Sequence, residues 1–366
     1  MKKVLFISLA VVIALSVGLI GCEGEGEGEG EVLWDSEITL DMHCTISDRA
    51  SIVEEVFGPW VDEVHALVGP DGGTFNITVT YGEAPFSAAT SLNGISTGAA
   101  DIGQLSPETF NLGGAGYFPF YFDTIEETAY VMYNLWTEND GEWDANGELS
   151  FVKLLYVAPL WGSQLWSTTE SGNMTVVADW AGKKHRTDAQ VVESDTISAL
   201  GAIPVYLGVA DLPSSLGTTV TSCFFTYSGI GAFAGLGEAT EYTTELNCIY
   251  RPYALAMNKA KYDSLPPDAQ AAIDGVSGAQ ASIDWAAAHI AAEAGDKEAT
   301  ETGIGFGLEP EWGRPIYEPT PAEMDEYKAA TADVPTWWAG NVTILGLDGD
   351  GILTRIGELI AEYATL

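Results

Sequence analysis

The chain has 366 residues, with 53 Asp plus Glu against 14 Lys plus Arg and a formal net charge of -39. That balance excludes a nucleic-acid partner, because phosphate binding draws its affinity from clustered Lys and Arg that displace counterions. Charged residues are only 18% of the chain and apolar ones 46%, which is not the composition of disorder, and the length predicts two domains of roughly 150 to 180 residues each.

Lys2 and Lys3 precede the apolar run Val4 to Ile20, which ends in Leu19-Ile20-Gly21-Cys22. A positive start, an apolar centre and small residues at the cleavage point predict a secretory signal over 1–21. The Leu-Ile-Gly-Cys ending resembles the lipobox of bacterial lipoproteins, which implies a diacylglycerol thioether on Cys22. A short uncleaved anchor is the alternative, although the run is brief for a span. Residues 22–35 then carry a Glu-Gly repeat through Glu31, a self-repelling tether of roughly 15 to 20 Å.

The body alternates strands and helices. Ile38 to Met42 alternates as a strand, and Ser47-Asp48 caps a helical pattern through Val53, Val56, Val61, Val64 and Leu67. Gly69 to Gly73 is a turn, Phe75 to Tyr81 a strand, Ser91 to Thr97 a helix and Ala99 to Gly103 a short buried strand. This βαβα order builds a mostly parallel sheet flanked by helices. A helix through Ile125, Ala129, Met132 and Leu135 precedes the strand Phe151 to Val157, and a second βαβ unit begins near Trp161. The last third is helical over Pro267 to Ala294, Pro321 to Ala330 and Gly351 to Tyr363.

Past the signal, Cys44, Cys223 and Cys248 remain. Outside the cytoplasm a disulfide is permitted, Cys223 with Cys248 is the expected pair, and the odd count leaves at least one thiol unpaired. The histidines His43, His65, His185 and His289 show no zinc-ligand spacing.

Three stretches in order carry a family resemblance. Asp179-Trp180-Ala181-Gly182-Lys183-Lys184-His185-Arg186, followed by Leu200-Gly201-Ala202-Ile203-Pro204-Val205, resembles the central signature of the solute-binding proteins of tripartite ATP-independent periplasmic (TRAP) transporters. Gly98 to Gly103 with Ser106-Pro107, and Met257 to Pro266, are similar to two further family segments. The resemblance covers about Ile38 to Tyr363. It implies an α/β, two-lobed, periplasmic-binding-protein-like fold with a ligand cleft between lobes and a helical C-terminal region. The expected boundaries are a first lobe over 36–160 with roughly 228–285, and a second over 161–227 with roughly 286–366.

In the family the arginine matching Arg186 holds an organic acid's carboxylate by a bidentate salt bridge, which needs a planar guanidinium fork. The competing reading is a surface arginine on a solvated Lys-Lys-His-Arg turn. The chain departs from the family where an asparagine becomes Thr226 and where a second basic residue would fall at about Gln164. Trp161, Trp166, Phe224, Phe225 and Tyr227 therefore point to a ligand with an aromatic or apolar body. Strand alternation allows at most one of Phe224 and Phe225 to reach the cleft, the other packing the core; which does which stays open, and Phe224 is named among the candidate ligand residues. By analogy with the family the first lobe would add the loops His43-Cys44-Thr45 and Gln104-Leu105-Ser106, with Phe86 a weaker candidate.

Asp348-Gly349-Asp350-Gly351 lacks the first and twelfth ligands of a calcium loop, so no metal is expected there. Gly303 to Gly307 lacks a dinucleotide context, and no catalytic unit presents itself. The expectation is a lipid-anchored, extracytoplasmic receptor, not an enzyme and without cofactor, that carries a small carboxylate to a TRAP-type permease. A receptor for an ATP-driven importer, or a non-catalytic surface binding module, is the alternative.

Overall fold

The computed structural model describes residues 34–45, 53–138, 147–188, 191–232, 235–303 and 313–366. The signal segment, Cys22, most of the tether and the Ser47-Asp48 cap lie outside them. Among the described residues no helix is long and apolar enough to cross a membrane.

Two sheets organise the body. The first contains β1 (Glu37–Cys44), β2 (Thr74–Tyr81), β3 (Ile102–Leu105), β4 (Val152–Pro159) and β10 (Pro252–Asn258), in the order β2-β1-β3-β10-β4. β1 pairs in parallel with β2 and β3, and β10 runs antiparallel to both β3 and β4. The second sheet contains β5 (Gln164–Ser167), β6 (Lys184–Thr187), β7 (Ile203–Tyr206), β8 (Ser222–Phe225), β9 (Tyr242–Thr244) and β11 (Ile316–Tyr317), ordered β11-β9-β5-β8-β6-β7. The parallel trio β8-β6-β7 carries the chemistry described below.

Burial follows strand parity. On one face of the first sheet Leu40, Met42, Ile102, Leu255 and Met257 pack with Phe57, Trp60 and Tyr156, while Leu105, Ala254, Ala256 and Val157 face a different cluster. A sheet covered on both faces needs apolar residues at every position, which is why β3 and β10 show no polar alternation.

Three passages join the sheets: residues 160–163, residues 245–251, and the helix Ala279–Thr302, which follows the first sheet's β10 and precedes β11. At about 36 Å long, this helix touches both bodies. Ser282 Oγ accepts from Val157 N at 2.9 Å, and Lys297 Nζ meets Glu245 at 2.6 Å and Glu318 at 3.0 Å.

Several expectations shift. β3 begins at Ile102 rather than Ala99, where pairing with Met42 starts. The single helix expected over Pro267 to Ala294 is two, Pro267–Gly275 and Ala279–Thr302, because Gly278 takes φ 102° and donates its N–H to Leu155 O at 2.7 Å. An additional helix spans Val334–Ile344. Asp348 is the cap of the helix Gly349–Tyr363, its side chain accepting from Gly351 N at 3.0 Å. β9 lies in the second sheet although 228–285 was assigned to the first lobe, since three residues show no period and only pairing with β5 and β11 defines them. The C-terminal helix also reaches the first-lobe helix Ile125–Thr137, with Tyr130 and Tyr363 rings 5.6 Å apart and Arg355 on Glu138 at 2.7 Å.

The cysteines correct the sequence reading. Cys44, Cys223 and Cys248 are all free and buried, so Cys223 and Cys248 form no bridge. Cys223 sits inside β8, and Cys248 lies on the 245–251 passage with its Sγ donating to Ser163 O at 3.4 Å.

Candidate functional site

Arg186 lies near the C-terminal end of β6, level with Val205 of β7 and Cys223 of β8. The carboxyl ends of parallel strands are where open α/β sheets bind ligands. The side chain is 6% exposed, and its Nε donates to Leu207 O at 3.0 Å. Its two Nη groups have no hydrogen-bond partner among the described residues, and the Phe225 ring centre lies 6.0 Å from Cζ. A planar guanidinium anchored by Nε, with its outer edge unused, is prepared for a carboxylate.

Alternation along β6 and β8 separates two faces. Arg186 and half-buried Phe225 share one, whereas His185 and fully buried Phe224 share the other, with ring centres 4.5 Å apart and Trp180 stacked beyond them. Phe224, the one named as a ligand candidate from the sequence, is therefore core, and Phe225 adjoins Arg186. Of the basic run, Lys184 stays exposed while His185 turns inward to Ser222 Oγ at 2.8 Å. Burial first, then Arg186 and Arg251, push the His185 imidazole down to about 3, with Glu193 opposing. A base whose folded value is depressed contributes stability that is fully present above its unfolded value near 6.5 and is lost as pH falls toward 3, at up to about 1.4 kcal/mol per pH unit. NMR of the imidazole should find His185 neutral down to pH 4 or below; a midpoint near 6.5 would show that water reaches the ring.

A second buried arginine, absent from the sequence reading, is Arg251 on the 245–251 passage. Its Nη1 donates to Ser163 Oγ at 2.6 Å, its Nη2 to Glu193 Oε1, and its Nε lies 3.5 Å from Asp188 Oδ2. Glu193 stands in the first turn of the helix Val191–Ala199, and its other oxygen accepts from Asp188 N at 2.8 Å and Thr187 Oγ1 at 3.3 Å. Burial alone would raise the Glu193 carboxyl, but Arg251 and then Arg186 hold it below the usual carboxylate range. Burial, then the Glu193 charge, push Asp188 the other way. The cluster thus binds both passages, through Ser163 and Arg251, to the segment that follows Arg186.

Other predicted residues are committed locally. Gln164 donates to Gly162 O and Asn247 Oδ1 and accepts from Leu246 N and Asn247 N, so its amide is fully used in joining the two passages. Gly162 is required beside it, because a Cβ there would lie 2.6 Å from Asn247 Cα. Thr226 Oγ1 accepts from Gly229 N at 3.0 Å and meets Ser228 Oγ, starting the helix Tyr227–Ala232. His43 is fully buried between Thr80 Oγ1 and Phe86 O, both at 2.9 Å, with Phe86 edge-on at 4.6 Å. Sequence expectation placed Gln164, Thr226 and His43 on a ligand; here each has a structural partner set. Gln104 and Trp161 differ. Gln104 Oε1 accepts from Thr45 N and Oγ1, but its Nε2, like Trp161 Nε1, is buried without a partner.

On the first sheet's side, the turn Pro107–Thr109 after β3 carries half-buried Glu108, whose carboxyl is pushed up by burial while the charges of Arg186 and then Arg251 oppose, and burial, followed by the Glu108 charge, raises the Tyr253 hydroxyl of β10. Neither Glu108 nor Tyr253 was read from the sequence. The scarcity of cations was the available signal: of five arginines, Arg186, Arg251 and Arg314 are each under a tenth exposed.

Comparisons agree with this architecture. The family model described as bacterial extracellular solute-binding protein, family 7, matches residues 73–326. Similar solved structures include a TRAP solute-binding protein from Rhodoferax ferrireducens in complex with copurified benzoate (22% identity, 90% of this chain and 99% of that one, TM-score 0.75). Another is a marine metagenome TRAP solute-binding protein specific for aromatic acid ligands, with 3-hydroxybenzoate (21%, 90% and 99%, TM-score 0.74). A third is a Bordetella bronchiseptica TRAP periplasmic solute-binding protein with (R)- and (S)-mandelate (17%, 89% and 99%, TM-score 0.72). An uncharacterized protein of Haemophilus influenzae is 35% identical over 92 residues, a match spanning 25% of this chain and 28% of that protein.

Proposed function

The chain belongs to the bacterial extracellular solute-binding proteins of family 7, and from that premise we propose that it captures a small organic acid on Arg186 and hands it to a TRAP-type membrane permease. The observation that carries the ligand's charge is the buried Arg186 guanidinium, whose Nη groups have no hydrogen-bond partner among the described residues. No carboxylate among the described residues bonds to it, although the Glu193 and Glu108 charges act on it at longer range, and a ligand carboxylate would supply the bonded partner for its outer edge. Phe225 beside it, and Trp161 with its buried N–H, suit a body that is aromatic or apolar and carries few polar groups. The structural neighbours' benzoate, 3-hydroxybenzoate and mandelate support this class of ligand.

Transfer follows from two-sided contact. Glu108 and Tyr253 come from the first sheet's side and Arg186 from the second, so a ligand touching both groups stabilises the arrangement in which they are close. The permease then reads that arrangement, and the receptor needs no chemistry of its own. Cys22, bearing lipid, would keep the body near the membrane on its Glu-Gly tether.

A thermal-shift screen of monocarboxylates, dicarboxylates, aromatic acids and keto acids tests the reading. An acid present at 100 times its Kd should add about 2.7 kcal/mol of stability and raise Tm by several degrees. A shift with a neutral compound and with no acid would refute the carboxylate assignment.

A further inference from the structure

No backbone requirement accounts for the glycine at position 229. Gly229 is the third residue of the helix Tyr227–Ala232 and has no positive φ, so alanine would be the better helix former there. What the position lacks is room. A Cβ on Gly229 would lie 2.4 Å from Phe225 Cδ1 and 2.8 Å from its Cε1, so one edge of the Phe225 ring packs against the bare Gly229 backbone. The same Cβ would stand 3.0 Å from Thr226 Oγ1, which is itself held by Gly229 N at 3.0 Å and Ser228 Oγ at 3.1 Å. Neither support of the ring can retreat. Trp166 Nε1 donates to Phe225 O at 3.0 Å and fixes the end of β8. Both oxygens of buried Glu293, on the long helix Ala279–Thr302, accept from Ser228 N at 3.3 Å and hold the short helix in place. The ring is therefore the part that can move, and its centre lies 6.0 Å from Arg186 Cζ.

We propose that Gly229 is a positioning residue for ligand selectivity: by presenting no side chain it seats the Phe225 ring beside Arg186, where the ring forms one wall for the body of the bound acid. The inference rests on the reading of Arg186 as the carboxylate anchor and of Phe225 as its apolar neighbour. Gly229 reaches the ligand only through Phe225. A methyl group at 229 would come about 1 Å inside ordinary carbon-to-carbon contact. With the strand end and the helix both pinned, the ring has to rotate off its seat, as side chains do when a packed site is overfilled. It then no longer lies where the acid's body meets it, while the guanidinium keeps its own anchor on Leu207 O. Two separate devices thus recognise the two ends of the ligand: Arg186 holds the carboxylate, and the Phe225 and Gly229 pair shapes the space for what is attached to it.

The test is a double-mutant cycle by calorimetry on wild type, Gly229→Ala, Phe225→Ala and the double variant, with whichever of benzoate, 3-hydroxybenzoate and mandelate binds wild type most tightly. Gly229→Ala and Phe225→Ala should each weaken that acid about ten-fold, the scale of one lost aromatic contact. The double variant should match Phe225→Ala to within about two-fold, because Gly229 has nothing to position once the ring is gone. A merely structural glycine would instead weaken binding by the same factor in both backgrounds. That result, or wild-type affinity in either single variant, would overturn the role of Gly229 while leaving Arg186 in place. If the overlap keeps Gly229→Ala from folding, the double variant should still fold and bind like Phe225→Ala; a double variant that also fails to fold, or binds ten-fold more weakly than Phe225→Ala, would overturn the proposal. Wild type that binds propionate or succinate but none of the three aromatic acids would overturn the reading of Phe225 as a ligand wall. Failure of every acid to bind wild type would overturn the carboxylate reading, and this inference falls with either.

Discussion

Arg186→Ala is expected to weaken binding of the captured acid by about 30-fold to several thousand-fold, the consequence of losing roughly 2 to 5 kcal/mol when one partner of a buried charge pair is truncated. The size follows from how little else could replace it. The chain carries -39, and its field repels an anion; screening confines that repulsion to within about 8 Å at physiological salt, so attraction must be local. Within that range Arg251 is engaged by Glu193, Asp188 and Ser163, Lys184 is exposed, and burial keeps His185 neutral. Arg186→Lys should recover only part of the loss, because an ammonium supplies charge without the two-pronged fork. Folding should suffer little, since among the described residues Arg186 makes a single hydrogen bond, from Nε to Leu207 O. Calorimetric titration of the acid found in the screen decides it, and wild-type affinity in Arg186→Ala would sink the assignment.

How far such a site could be read beforehand depends on sequence distance. β1, β2 and β4 were legible because eight-residue strands carry their own pattern, and Arg186 was legible because it ends a basic run in a chain poor in cations. Arg251 was not. Its partners Glu193 and Ser163 lie 58 and 88 positions away, and no local pattern announces a contact made by two inter-sheet passages meeting. Glu108 escaped for the same reason, since the charges that act on its carboxyl, Arg186 and Arg251, lie far along the chain. The parity of Phe224 and Phe225 was readable, but not which one met the ligand side. That depends on the pairing of β8 with β6, in which Arg186 stands opposite Cys223 and so shares a face with Phe225. Gln164, Thr226 and His43 show the converse: a residue type suited to ligands was read without its local partners, which only the folded chain supplies.

Arg251→Met tests the cluster that holds the arginine-bearing strand in place, and it should cost about 3 to 5 kcal/mol of stability. The penalty is not the value of the ion pair itself. Glu193 is fully buried, and burial opposes its charge; Arg251 is the largest influence holding it ionised, ahead of Arg186. Remove Arg251 and the carboxylate must either stay charged without a counterion or take a proton at neutral pH, and both are unfavourable. Ser163 Oγ loses its donor as well, which loosens the 160–163 passage from the 245–251 passage. The double variant Arg251→Met with Glu193→Gln removes both charges together and should regain at least half of the loss, because a neutral pair of similar volume has no desolvation to offset. Asp188 limits the recovery: its Oδ2 loses the Arg251 Nε 3.5 Å away, although burial and the Glu193 charge already raise that carboxyl, so protonating it costs little. Urea unfolding of the three proteins measures each difference, and a double variant no more stable than Arg251→Met would show that the Glu193 charge is not what Arg251 supports.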